Sequence, residues 1–204
     1  MNGGSKLHPW VAAAADGELP QWAVADTKRR EHMARVAGLL KKWSKARGES
    51  RRDIQRWTAL GYLHDMMRDA QPKELRRVVS GPLADLPNAV LHGPAAAARL
   101  RDGGVTDEPL LTAVAFHTLG SPRFEDLGRA LYAADFLEPG RKFRPKWRRE
   151  MRKRMPEDLE VVVRAILRLR IRHLLDRERP VRPETMGFWN VMVKGQAWAS
   201  ASEV

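Results

Sequence analysis

The dipeptide His64-Asp65 sits in an otherwise apolar stretch, ALGYLHDMM, at residues 59–67. An ionised carboxylate in such a place costs several kcal/mol or neutralises itself unless a cation or a strong donor stands beside it, so the fold must bring one to Asp65. Three further histidines and a second aspartate stand in similar surroundings: His32 in REHMARVA, His92 in VLHGPAAAA, His117 in VAFHTLG and Asp135 in LYAADFLEPGR. A lone histidine on an apolar helix face is more often a satisfied core residue than a ligand. The combination with two buried carboxylates favours a divalent transition metal, and residues so far apart can meet only where several helices converge on the ion.

The spacing around these residues is helical. In 27–46, Met33, Val36, Ala37 and Leu40 follow the i, i+3, i+4, i+7 pattern, with Asp26 as the cap and Gly48 as the stop. Ser50 with Asp53 opens a second helix that carries Ile54, Trp57, Leu60, Gly61 and His64 on one side. A short helix is expected over 73–79 after Pro72, then a turn-rich connection, SGPLADLPNAVLHGP, and a helix over 94–101. Asp107 caps a helix through Leu119, another spans 124–138, and a long one runs from Pro156 to about Arg179. No segment alternates as a β-strand does, so the fold class is all-α.

With 204 residues, of which 43% are hydrophobic, the chain suits one domain with a real core. Residues 1–24, rich in Ala and Gly, are expected to form a loosely packed arm, and residues 196–204 a frayed tail. The absence of cysteine rules out disulfides and thiolate ligands and suits a reducing cytoplasm. No run approaches the roughly 18 apolar residues of a membrane span, so a cytoplasmic, membrane-free protein is expected. Trp43 and Trp57 read as packing residues, and His8 and His173 as surface residues. No sequence feature specifies an oligomeric state. The formal charge of +12 calls for an anionic partner, a phosphorylated small molecule or nucleic acid. Much of that charge lies in RKFRPKWRREMRKR, residues 141–154, readable as a solvated helix face or as an RNA-contacting surface that Arg164, Arg168 and Arg172 extend.

The words around the ligand series resemble the HD-domain metal-dependent phosphohydrolases. REHMARVA is similar to that family's R-x-x-H-x-x-x-V helix, with Arg29 and His32, and ALGYLHDMMR to its A-x-L-H-D-x-x-K segment, with Arg68 where lysine is usual. LHGPAAA, FHTLG, ADFLEPGR and the late RPETMGFWN look like words of one branch, the YqeK family of symmetrical bis(5'-nucleosyl)-tetraphosphatases. The resemblance covers about residues 25–195, which it makes one HD domain.

The resemblance implies two divalent ions, iron being expected with manganese or zinc as alternatives. His32, His64, Asp65 and Asp135 would hold one and His92 and His117 the other, with Asp65 bridging. It further implies a metal-bridging hydroxide that attacks the middle of diadenosine tetraphosphate and releases two ADP, Asp65 and Arg68 being catalytic and Arg29, Arg68, Thr118 and Arg141 contacting substrate. Arg68 grips phosphate bidentately but does not donate a proton usefully, unlike lysine. Leu119, in place of the second threonine of H-T-T-G, and Arg182, in place of histidine, are further departures. Two alternatives therefore stay open: a phosphohydrolase of another nucleotide, and a nucleotide- or RNA-binding module with reduced activity.

Overall fold

The structure is a computed structural model and describes residues 6–194, in which all regular structure is helical. In chain order the α-helices are α1 (Pro9–Ala15), α2 (Thr27–Ala46), α3 (Arg51–Leu63), α4 (Pro72–Val78), α5 (His92–Asp102), α6 (Glu108–Phe116), α7 (Asp126–Leu137), α8 (Pro145–Lys153), α9 (Leu159–Leu175) and α10 (Pro183–Met192). Two short 3₁₀ turns, Gly81–Asp85 and Asn88–Val90, fill the turn-rich connection before α5.

Helix starts follow the capping residues. The Arg29 N–H donates to Asp26 at 2.7 Å, the Asp53 N–H to Ser50 at 3.1 Å and the Leu110 N–H to Asp107 at 3.1 Å, so each cap satisfies a backbone donor that its helix leaves free. The expected α2 face, Met33, Val36, Ala37 and Leu40, is fully buried, as are Trp43, Trp57 and Leu60, while Ile54 is half-buried. α3 packs between α2 and α1, α5 on α6, and α7 on α6, α9 and α2.

Two crossings are closer than side chains allow. A Cβ on Gly61 of α3 would lie 2.4 Å from the Ala37 Cα of α2, and one on Gly93 of α5 would lie 2.8 Å from the Ala115 and Val114 carbonyl oxygens of α6. Backbone therefore meets backbone at both places. The first crossing lies near His32 and His64, the second near His92 and His117.

The structure departs from the sequence expectations at both ends. The segment expected as a loose arm contains α1, whose Val11 and Ala14 are buried against the core because its alanines let it approach α3 closely. Trp10 packs edge-on to Trp22, and His8 binds the Gly103 carbonyl at 3.1 Å, so His8 is half-buried rather than plainly on the surface. The long C-terminal helix is shorter than expected, because the chain only turns between Pro156 and Asp158 and Glu178 takes a left-handed φ of 52° beyond its end. RPETMGFWN forms α10, whose Phe188 is buried among the Phe124 and Tyr132 rings. The tail at 196–204 lies outside the described residues.

Candidate metal centre

Five chain segments deliver the histidines and aspartates to one point. His32 comes from within α2, His64 and Asp65 from the end of α3, His92 from the first position of α5, His117 from the end of α6 and Asp135 from α7. α6 stops at Phe116 rather than Leu119, and Gly120, with a left-handed φ of 82°, ends the closing turn that holds His117.

Asp65 is the hub, and its two oxygens face different partners. Oδ1 lies 3.1 Å from His92 Nε2 and 3.3 Å from His117 Nε2. Oδ2 lies 3.7 Å from His32 Nε2, 3.8 Å from His64 Nε2 and 2.7 Å from Arg29 Nη1. Asp135 Oδ1 stands 3.1 Å from His32 Nε2 and 2.7 Å from Arg141 Nη2. Two compact donor groups result, His32 with His64 and Asp65, and His92 with His117 and the same Asp65.

The imidazoles are turned so that Nε2 points inward. His64 Nδ1 donates to the Gly61 carbonyl at 2.9 Å and His117 Nδ1 to the Val114 carbonyl at 2.8 Å, fixing the tautomer that leaves Nε2 as a lone pair. His32 is held differently, with Glu138 Oε1 3.4 Å from its Nδ1. Nε2 of His64 is buried without a hydrogen-bond partner among the described residues, and Nε2 of His32 faces only the carboxylates of Asp135 and Asp65. Buried, convergent nitrogen lone pairs beside a shared carboxylate are an expensive arrangement unless a cation takes them up, so these residues fit a divalent metal.

Protonation agrees with that fit at His64 and His92, whereas His32 must give up a proton to take a metal. Burial lowers His64 to about 4 and also lowers His92, so both are neutral at pH 7, as a metal would require. Burial opposes the charge on His32 too, but hydrogen bonds to Asp135 and Glu138 outweigh it and raise the imidazole to about 9. Burial works against ionised Asp65 as well, yet the surrounding His64, His117 and His92 hold its carboxyl well below the usual range. His32, His64 and Arg141 do the same for Asp135 against its own burial.

The centre opens on a cleft of about 1190 Å³, whose lining includes nine arginines and three aspartates. Of the residues expected to contact substrate, Arg68 lines this cleft, Arg29 and Arg141 pair with Asp65 and Asp135, and the Thr118 hydroxyl lies 3.1 Å from His117 Nε2. Arg168 and Arg172 join the wall from α9, whereas Arg164 turns to the Met192 carbonyl. His173 is exposed, as expected, but stands on the rim of the same cleft. The basic run is divided: Arg148 and Arg152 point back into the protein, while Lys142, Arg144, Lys146 and Arg149 are exposed.

Two residues of the site carried little sequence signal. Glu138 is buried, receives Arg35 Nε at 2.6 Å and the Gly140 N–H at 2.8 Å, and is held at about 2, against burial, chiefly by His32 and Arg35. Arg170 donates to the Thr118 carbonyl at 2.6 Å and stacks 5.1 Å from the Tyr132 ring. Glu138 stood within the ADFLEPGR word, which was its one available signal; Arg170 was one of several arginines in α9.

A profile of the HD domain matches residues 29–162. This chain belongs to the HD-domain family. As such it is an enzyme of the hydrolase class, and its histidine and aspartate groups could hold the divalent metal that HD domains bind. Among its relatives, the symmetrical bis(5'-nucleosyl)-tetraphosphatase of Halalkalibacterium halodurans is 27% identical over 71% of this HD-domain chain and 79% of its own length. The protein of the same name from Bacillus subtilis is 29% identical over 65% of this chain and 73% of its own. The crystal structure of an HD superfamily hydrolase from Clostridium acetobutylicum superposes with a TM-score of 0.70, covering 90% of this chain and 95% of that one at 23% identity, and so shares the fold.

Proposed function

We propose that the chain hydrolyses diadenosine tetraphosphate symmetrically to two ADP. The observation that carries the reading is the division of Asp65, one oxygen toward His92 and His117 and the other toward His32 and His64, at the floor of an arginine-lined cleft. A carboxylate so placed can bridge two divalent ions, with Asp135 completing the His32 side; iron is the expected metal. Two such ions supply Lewis acidity at the scissile phosphate and a deprotonated water at neutral pH. The names of the two bacterial relatives support the substrate.

In the proposed reaction a water oxygen joins one of the two central phosphorus atoms and the central P–O–P bond breaks. The second ADP leaves with the bridging oxygen. Arg68, on the cleft wall beside His92, neutralises charge on that leaving phosphate, and Arg29 and Arg141 orient the chain through the carboxylates they hold. Thr118 positions a phosphate oxygen next to His117. A cysteine-free site of this kind suits the cytoplasm.

Metal analysis of the purified protein, followed by chromatography of diadenosine tetraphosphate digests, tests the reading. ADP as the sole product supports it, and AMP with ATP overturns it. A second reading, an RNA-binding module, draws on the exposed Lys142, Arg144, Lys146 and Arg149. Binding through those cations falls steeply with salt in a gel shift; salt-indifferent binding excludes them as its cause.

A further inference from the structure

One cation of the basic run is neither solvated nor paired. Arg148 of α8 is 5% exposed, its Nε donates to the Phe143 carbonyl at 2.6 Å, and its guanidinium carbon lies 4.1 Å from the centre of the Phe136 ring. Its Nη1 is buried and has no hydrogen-bond partner among the described residues, although the side chain borders the cleft that holds the metal centre. Burial, with the charge of Arg141 next, lowers its pKa to about 10. Native proteins rarely leave a charged donor unmet unless something else supplies the acceptor.

The surroundings indicate what that acceptor belongs to. Trp147 stands edge-on to Phe136 with centroids 6.2 Å apart, and Phe143, 57% exposed, presents an open ring capped on one side by Arg144. Arg168 and Arg172 of α9 face the same space and give an anion long-range attraction. Aromatic rings stack any base, and an arginine fork recognises phosphate. At about 1190 Å³ the cleft exceeds the roughly 300–1,000 Å³ of a site for one small ligand, leaving room beyond the metal-bound portion.

We infer that Phe143, Trp147 and Arg148 form a second nucleotide subsite, in which Arg148 Nη1 donates to a phosphate of the nucleotide remote from the metal centre and its base stacks on the open ring of Phe143, with Trp147 as the wall beside it. The inference deepens the reading of a dinucleoside polyphosphate substrate and rests on it for the identity of the second nucleotide. The subsite makes the chain selective for substrates with two nucleotide ends.

The test uses the metal-loaded protein, Arg148→Met and Phe143→Ala. The second variant is included because Phe143 is exposed and its loss leaves the fold intact. Calorimetry with ADP is expected to count two sites per wild-type chain and one per variant chain. The KM for diadenosine tetraphosphate is expected to rise about tenfold, the scale of one lost stacking or ionic contact, with the effect in KM rather than kcat. Two ADP sites and an unchanged KM in Phe143→Ala overturn the subsite, even if diadenosine tetraphosphate is cleaved. A fall in ADP sites from two to one upholds it, even if that substrate proves wrong.

Discussion

Glu138 Oε1 stands 3.4 Å from Nδ1 of His32, and its other oxygen is fastened by Arg35 and the Gly140 N–H. The carboxylate thereby fixes the ring of a proposed metal ligand. Replacing Glu138 with Ala frees the His32 ring and leaves Arg35 without its 2.6 Å partner. Metal affinity should fall by about 10–100-fold, the usual cost of losing such a partner. Dialysis against graded chelator followed by metal analysis measures this, and Glu138→Gln, which keeps an acceptor, should recover part of the loss.

Asp65→Asn keeps the side-chain shape and removes the charge that faces four imidazoles. Metal content and turnover should disappear together. An Asn variant that still turns over substrate would dismiss the bridging role given to Asp65.

Gly61 lies against the Ala37 backbone, so an added methyl must push α3 from α2. Gly61→Ala should cost about 1–3 kcal/mol, the range for overpacking a tight interior contact. In a domain of this size each kcal/mol lowers the thermal midpoint by about 2–4 °C. Calorimetry reads the shift. Gly38, where a Cβ meets nothing within 4 Å, is the control, and Gly38→Ala should not lower the midpoint.

Removing the metal should destabilise the whole domain, because the proposed ligands come from five separate segments that an ion would tie together. A ligand present at about 100 times its Kd adds about 2.7 kcal/mol to folding. Chelation should therefore lower the thermal midpoint, and ferrous or manganous ion should restore it. A midpoint indifferent to chelator would mean that the donors meet without holding an ion.

The parts of this arrangement visible in the sequence were those governed by local rules. Asp26, Ser50 and Asp107 announce helix starts because a cap acts within three residues of itself. The six histidines and aspartates of the centre stood out because polar groups at apolar positions need a tertiary reason. What was hidden depended on distant neighbours. The burial of α1 relies on α3, and the inward turn of Arg148 relies on Phe136, a residue of another helix. Glu138 works through Arg35 and His32, and the sequence separation of about a hundred residues leaves no periodic trace.

The loop beyond His117 is held from later in the chain. Arg170 takes the Thr118 carbonyl and the Thr185 hydroxyl takes the Leu119 carbonyl at 2.7 Å, while Phe188 lies where a side chain on Gly120 would stand. Each proposed ligand residue therefore precedes in the chain the residues that set the His117 turn. Domains tend to fold as units during synthesis. The nascent chain thus carries all of the proposed metal donors for some fifty residues of elongation before the turn at His117 is locked in place, and tight metal capture waits for the segment 170–188.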